Sequence, residues 1–389
     1  MIQGDKLKPG WQVWRFDQIA TNVNERIDNP SEADVEYYVG LEHLDPDSLK
    51  IRRWGTPSDV EATKLCFRKG DIIFGRRRVY QRKVAVADFD GICSAHALVL
   101  RAKPAVVDPG FLPFFMQSDL FMERAKAISV GSLSPTINWK TLAKEEFALP
   151  PLEEQRKVSE VLFAVEKTIE CYAKAILTAK RNRESVARHL FLADKSVQNT
   201  PLKHVIADSR YGPRFSNSLY DDNGELYQLR TSDIDGDGNI NYCTIPRVSL
   251  SVDKYKEHLL KDGDVVISRS GTCGITAVFR SNNIPTIPAA FLIRLRPNSK
   301  MLANYLNEFL SSPVGQQLTS SLARGGVQKN ISGSQLLAQD VPCPNIERQK
   351  QVVTTLYDLR STENHLRDRV IYLQELRRIL INFILVDSV

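Results

Sequence analysis

Residues 150–158 read PPLEEQRKV, and residues 344–352 read PNIERQKQV, 194 positions further on. In this frame Gln155 falls on Gln349, Arg156 on Lys350 and Val158 on Val352. Upstream, GSLSPTI at 131–137 falls on GGVQKNI at 325–331, and Leu98-Val99 falls on Leu292-Ile293. One step off that frame, KGDIIFGR at 69–76 meets DGDVVISR at 262–269, and at an offset of 190 YYVGLEHLD (37–45) meets YQLRTSDID (227–235). Several motifs in one order, with small shifts between them, mark a tandem duplication.

Each half has the same grammar. About 150 residues of short strand-like runs, cut by Gly, Pro, Asn and Asp, come first. Asp71–Phe74, Ala97–Leu100, Asp264–Ile267 and Phe291–Leu295 are examples, and helical patches follow at Pro113–Ala127 and Leu302–Leu322. A long helix then closes each half; the first opens on a proline pair and the acidic first-turn residues Glu153 and Glu154.

A 4-3 spacing runs through Val158, Leu162, Val165, Ile169, Tyr172, Ile176, Ala179, Arg183, Val186 and Leu190. It recurs 194 residues later in Val352, Leu356, Leu359, Glu363, Leu366, Val370, Leu373, Arg377, Leu380 and Ile384. A heptad kept this long predicts a coiled-coil seam, interrupted by arginine at one equivalent place, Arg183 and Arg377. The alternative is two separate amphipathic helices, each packed on its own domain; the unbroken frame on one narrow stripe argues for pairing. Two halves related by a pseudo-two-fold axis pair their helices antiparallel, each of ~42 residues spanning ~63 Å.

The expected fold is therefore α+β. Two pseudo-two-fold-related lobes, 1–150 and 195–343, are separated by an antiparallel pair of long helices, 151–194 and 344–389. Such an object suits a bipartite target, as two-fold dimers suit two DNA half-sites.

Composition narrows the class. The chain has 389 residues, 42 % hydrophobic and 25 % charged, with a net charge of +6. That excludes disordered, collagen-like and disulfide-stapled small-protein classes. The charge is permissive for an anionic partner. The N-terminus shows no apolar signal core, and the apolar run Ile379–Val386 is far short of the ~18 residues of a membrane span. Cysteines stand singly at 66, 93, 171, 243, 273 and 343, with no zinc spacing. Free thiols in a reducing cytoplasm are expected.

With these motifs in hand, the whole chain resembles the DNA-specificity subunits of type I restriction–modification systems. The resemblance rests on the GDIIFGR/GDVVISR pair, the GGVQKNI segment and the PPLEEQRKV/PNIERQKQV helix openings; GSLSPTI departs in lacking the Gln and Asn of GGVQKNI. It implies that each lobe is a target recognition domain reading half of a split double-stranded DNA site. It also implies that the helices act as spacer and as dock for two modification (methyltransferase) subunits. Those subunits would carry S-adenosylmethionine and methylate adenine, and restriction–translocase subunits using ATP and Mg would complete the complex. This chain itself would need no cofactor.

DNA reading needs donors for phosphates and both donors and acceptors for base edges. The densest candidate is Arg76-Arg77-Arg78-Val79-Tyr80-Gln81-Arg82-Lys83, five basic residues with no acid, following a strand. Its counterpart in the second half is Arg269-Ser270-Gly271-Thr272. Arg210, Tyr211 and Arg214 form a further candidate, as do Arg324, Gln328, Lys329 and Asn330; Arg52-Arg53-Trp54 is a weaker one. The plain alternative for each is a turn with solvated charges.

Asp233, Asp235, Asp237 and Gly238 imitate the start of a calcium loop, but Thr244 stands where a bidentate Glu is required. A tight polar turn is the better reading. His96, inside an apolar run, reads as a core histidine. No phosphate loop, GxGxxG, HExxH or [ND]PP[YFW] motif occurs, so the expected role is recognition without catalysis. The rival classes are a coiled-coil adaptor and a duplicated nuclease or methyltransferase. A duplicated enzyme should keep its acids in both halves, yet Asp90 and Glu123 face Ile284 and Gln317 at +194.

Overall fold

The computed structural model describes residues 7–192, 197–281, 284–323 and 329–386. The chain forms two compact units, Met1–Ala173 with Asp368–Val389, and Lys174–Arg367. Both long helices, Leu152–Leu192 and Ile346–Val386, therefore contribute to both units.

The duplication is visible in the sheets. The first unit holds a four-stranded antiparallel sheet in the order Ala20–Val23, Ala97–Ala102, Ile72–Gly75, Val84–Val86. The second repeats it with Ile206–Tyr211, Leu292–Pro297, Val265–Ser268 and Thr276–Val278. The central strands IIFG and VVIS are buried along their whole length. Alternation explains this, because successive side chains leave a strand on opposite faces. Ile72 and Phe74 join the core built with the helices, whereas Ile73 packs with Val39 and Leu65 on the other face. Val265 and Ile267 against Val266 divide in the same way.

A second, smaller sheet shows where the halves diverge. Both contain a parallel pair, Tyr38–Val39 with Gly91–Cys93 and Leu226–Leu229 with Thr286–Pro288. The next strand is added on opposite sides: Lys64–Phe67 joins Gly91–Cys93, but Arg247–Val248 joins Leu226–Leu229.

Each helical patch expected as one run is two helices, Phe111–Gln117 and Asp119–Ala127, then Ala303–Ser311 and Pro313–Leu322. A serine makes each break. Ser118 Oγ accepts from the Phe121 amide at 3.1 Å and donates to the Phe115 carbonyl at 2.6 Å. Ser312 does the same with Gly315 and Phe309, each 194 positions on. A side-chain oxygen that caps an amide starts a new helix.

The glutamine of the repeated helix opening has a defined task. Gln155 is buried; its Nε2 donates to the carbonyls of Pro150 and Val106, and its Oε1 accepts from the Asp108 amide. Gln349 is equally buried and bonds Pro344, Lys300 and Leu302, every partner displaced by 194. Each glutamine ties its long helix to the loop preceding the first short helix of its lobe.

Every seam residue of both long helices is buried or half-buried. In the first unit Leu162 and Ile381 share a core, and Glu166 accepts from Arg377. In the second, Ala187 and Phe191 pack with Val352 and Leu356, and Arg183 Nε donates to Glu363 at 3.1 Å. Within each unit the residue number rises along one helix as it falls along the other, so the helices run antiparallel.

Candidate nucleic-acid interface

The first basic loop is braced by the segment that the repeat places opposite it. After the strand Ile72–Gly75, the Ile137 amide donates to the Arg76 carbonyl at 2.9 Å and the Arg78 amide to the Pro135 carbonyl at 2.7 Å. Arg78 Nε also bonds Ser134 Oγ at 3.1 Å. Arg78 and Arg82 adopt positive φ of 56° and 53° around the turn Val79–Gln81, and Val79 is buried beneath it. This geometry exposes Arg77, Arg78 and Tyr80 and leaves Arg76 and Gln81 half-buried.

The last two basic residues turn inward. Arg82 donates to Asp47 at 2.6 Å, to Asp119 at 3.0 Å and to the Gln117 carbonyl. Lys83 Nζ donates to the Leu41 carbonyl at 2.6 Å. They fasten the loop, and the outward set is Arg76, Arg77, Arg78, Tyr80 and Gln81.

His96 is not a core residue. It is exposed in the turn between Gly91–Cys93 and Ala97–Ala102, and its carbonyl accepts the Arg76 amide at 3.2 Å. Partial desolvation, with Arg77 and Arg76 beside it, holds its imidazole below the ordinary value. The apolar residues around it belong to two flanking strands, so the run hid a turn. His96 joins the interface as a residue that local pattern missed.

In the second unit three separately named segments converge. The Ile331 amide donates to the Arg269 carbonyl at 2.8 Å, repeating the bond between Ile137 and Arg76. Ser270 bridges Asn330, and Cys273 Sγ reaches the Lys329 carbonyl. The Arg269 guanidinium lies 4.4 Å from the Tyr211 ring centroid. The Tyr211 hydroxyl accepts from the Gly333 amide at 2.6 Å, and the Tyr211 carbonyl meets His258 Nδ1 at 3.0 Å. A Cβ at position 333 would stand 2.7 Å from that hydroxyl, so a larger residue there would displace the Tyr211 ring. In both lobes the Nε of the loop-opening arginine, Arg76 or Arg269, is buried with no acceptor among the described residues.

The other candidates divide. Arg214, Thr272, Lys329 and Asn330 are exposed and Ser270 is buried. Arg210 is exposed but ion-paired with Glu257 at 2.7 Å. Arg324 and Gln328 lie outside the described residues. Arg52 and Arg53 are both held by Asp45, and Trp54 packs against Tyr37 and Phe89.

The aspartate cluster forms a turn. Asp235 accepts from the amides of Asp237 and Asn239, both at 2.9 Å, and from the Asn239 side chain. Asp233 is gripped by Arg230 through both oxygens. The Asp237 carbonyl receives Arg360 of the second long helix at 3.0 Å. In the first unit the corresponding turn gives the Asp47 carbonyl to Arg377 of the same helix at 2.6 Å.

A duplicated sheet that carries, in each copy, a loop opening on an arginine and braced by the repeat-equivalent segment defines a two-part recognition protein. The chain belongs to the type I restriction modification DNA specificity domain family, whose model matches residues 58–180 and 222–370. It is 24 % identical over 402 residues to the type I restriction enzyme EcoKI specificity subunit of Escherichia coli (strain K12), covering 92 % of this chain and 84 % of that one. It is 29 % identical over 194 residues to the EcoDI specificity subunit of Escherichia coli; that match covers 48 % of this chain and 43 % of the relative, less than half its length.

Solved structures agree in fold. A chain from work on complex assembly and conformational transition of the type I R-M system has a TM-score of 0.69 at 21 % identity, over 97 % of each chain. The HsdS subunit from Thermoanaerobacter tengcongensis has a TM-score of 0.50 at 22 % identity, over 98 % of each. Among the described residues, no helix is long and apolar enough to cross a membrane.

Proposed function

We propose that this chain is the sequence-reading subunit of a type I restriction–modification complex. Residues 1–150 and 195–343 each read one half of a bipartite double-stranded DNA site, and the helices 151–194 and 344–389 set the number of bases between the halves. The observation that carries this reading is the repeated brace: Ile137 on Arg76 and Ile331 on Arg269, each holding a loop that opens on an arginine at the end of an equivalent strand. Arginines can take guanine edges bidentately or neutralise phosphates. The two loops differ in side chains on one scaffold, as two recognition domains with different half-sites require.

In this reading the chain carries no catalytic group and works in the cytoplasm, where its six free cysteines suit a reducing compartment. It positions two modification subunits, which supply S-adenosylmethionine and methylate adenine within the site. Restriction–translocase subunits, with ATP and Mg, join the same assembly for cleavage.

The test is genome-wide mapping of methylated adenine with and without the gene. A bipartite motif that vanishes on deletion supports the proposal; an unchanged methylation pattern in a strain whose modification subunits are expressed refutes it. Affinity of the assembled complex for its mapped site should fall steeply with salt as phosphate contacts release counterions.

A further inference from the structure

The hairpin that braces the first basic loop ends in an apolar tip. Val130 and Thr136 exchange both backbone hydrogen bonds, at 3.0 and 2.9 Å. Gly131, at φ +113°, turns the chain in a region that side chains disfavour. The apolar side chains of the tip are bare: Val130 is 79 % exposed and Leu133 is 91 % exposed.

An isolated surface leucine is ordinary. Leu133 differs in its setting. Its neighbour Ser134 holds Arg78 Nε, and Pro135 accepts the Arg78 amide. Arg77 bridges Thr136. The tip is thus coupled through two backbone hydrogen bonds, Arg78 to Pro135 and Ile137 to Arg76, and one side-chain bond to a loop that exposes Arg77 and Arg78. No acidic residue falls between Ile72 and Ala87, or between Arg124 and Lys144. A braced apolar point in a cationic field matches a partner with an anionic surface and an apolar interior reached through narrow gaps. Duplex DNA is such a partner: its phosphates line the outside, and an apolar side chain can enter between stacked bases.

We propose that Leu133 is a wedge. With Arg77 and Arg78 on flanking phosphates, it enters one base step of the first half-site, unstacks it and bends the duplex. The inference rests on DNA reading by the first lobe and adds distortion to it. It also supplies selectivity without a hydrogen bond, because pyrimidine–purine steps unstack most easily. The first half-site, or the base pairs beside it, should contain such a step where the tip lands.

The experiment uses the complete complex on a duplex carrying its mapped site. Bending is read by energy transfer between end-labelled dyes, and unstacking by 2-aminopurine placed in turn at each base of the first half-site and its flanks. The expected result is a bend of about 20–90° and a fluorescence rise at one step. Leu133→Ser should lose both and Leu133→Phe should keep both, with the salt slope of binding unchanged in each. A straight wild-type complex, or a Leu133→Ser complex bent like wild type, overturns the wedge. If the Arg77→Ala/Arg78→Ala variant keeps full affinity and salt slope, DNA reading by this loop falls, and the wedge with it. If that variant weakens binding while Leu133→Ser changes nothing, only the wedge falls.

Discussion

Arg183 Nε donates to Glu363 Oε2 at 3.1 Å, joining the two long helices through the polar positions of an otherwise apolar seam. Glu363 is almost wholly buried and is also held by Arg367 at 2.7 Å. Burial opposes its ionisation, but hydrogen bonds from Arg367 and Arg183 prevail and keep its carboxyl below the ordinary value. Removing one partner of a buried pair costs roughly 3–5 kcal/mol; since Arg367 stays, Arg183→Ala should fall at the lower end. Arg183→Leu with Glu363→Leu should be neutral or more stable by about 1–4 kcal/mol. Chemical denaturation of the three proteins checks this, and a double variant weaker than Arg183→Ala would contradict it.

The same pair sets a pH dependence. Because the folded pKa of Glu363 lies below its unfolded value of about 4.3, its contribution is complete above that pH. It is lost as pH falls through the folded value. Stability measured from pH 7 to pH 3 should therefore fall less in Glu363→Gln than in wild type.

The basic loop should separate into binding and fastening residues. Arg77→Ala with Arg78→Ala should weaken DNA binding and flatten its salt slope while leaving thermal stability nearly unchanged. Arg82→Ala should do the reverse first, because it removes contacts to Asp47, Asp119 and the Gln117 carbonyl. Paired melting and binding curves decide; equal melting losses in both variants would refute the division.

The two buried glutamines should be equally costly to remove. Gln349→Ala orphans the Leu302 amide and the carbonyls of Lys300 and Pro344, and Gln155→Ala orphans the matching three groups. At about 1–3 kcal/mol for each buried orphan, each variant should lose at least ~3 kcal/mol. For a unit of this size that is roughly 6–12 °C in melting temperature. A Gln349→Ala protein that melts like wild type would show that water or a shifted backbone replaces the glutamine.

Spacer length should follow matched insertions in the helices. Four residues add ~6 Å and nearly one turn, which preserves the seam and corresponds to about two base pairs at 3.4 Å each. Glu166–Arg377 and Arg183–Glu363 tie the helices at two places. An insertion after Thr178 alone therefore lengthens one helix between those ties and not the other. Insertions after both Thr178 and its repeat equivalent Tyr372 should give a longer spacer with unchanged half-sites in a methylation map. A matched variant that is active on the original spacing would contradict the model.

The duplication, the seam and its arginines were legible because they are periodic: a fixed offset and a 4-3 stripe survive without knowledge of contacts. The equivalence of Gln155 and Gln349 was visible too, but not its reason, since the carbonyls they bind lie in a loop about 50 residues upstream as well as at the helix start. A string of arginines looks uniform in sequence. Only the fold shows that Arg82 faces three acceptors while Arg77 faces outward. The meeting of Tyr211, Arg269 and Gly333 joins residues more than fifty positions apart and has no local signature. His96 was misjudged because the end of one strand, a turn and the next strand read as one apolar run.

The division of the chain into units also orders its synthesis. The first unit needs Ile381 in its core, Asn382 on Asp119 and Arg377 on the Asp47 carbonyl, all after Asp368. A ribosome finishing Ala173 has about 195 more residues to add before Asp368 appears. At ~5–20 residues per second that is roughly 10–40 s. During that interval the first lobe lacks its closing helix segment, and Leu162 and Ile169 have no apolar cover from the far helix. The second unit is made of the contiguous stretch Lys174–Arg367 and needs no residue that follows it. A released chain that ends at Arg367 should thus hold a protease-resistant second unit beside a protease-sensitive first one.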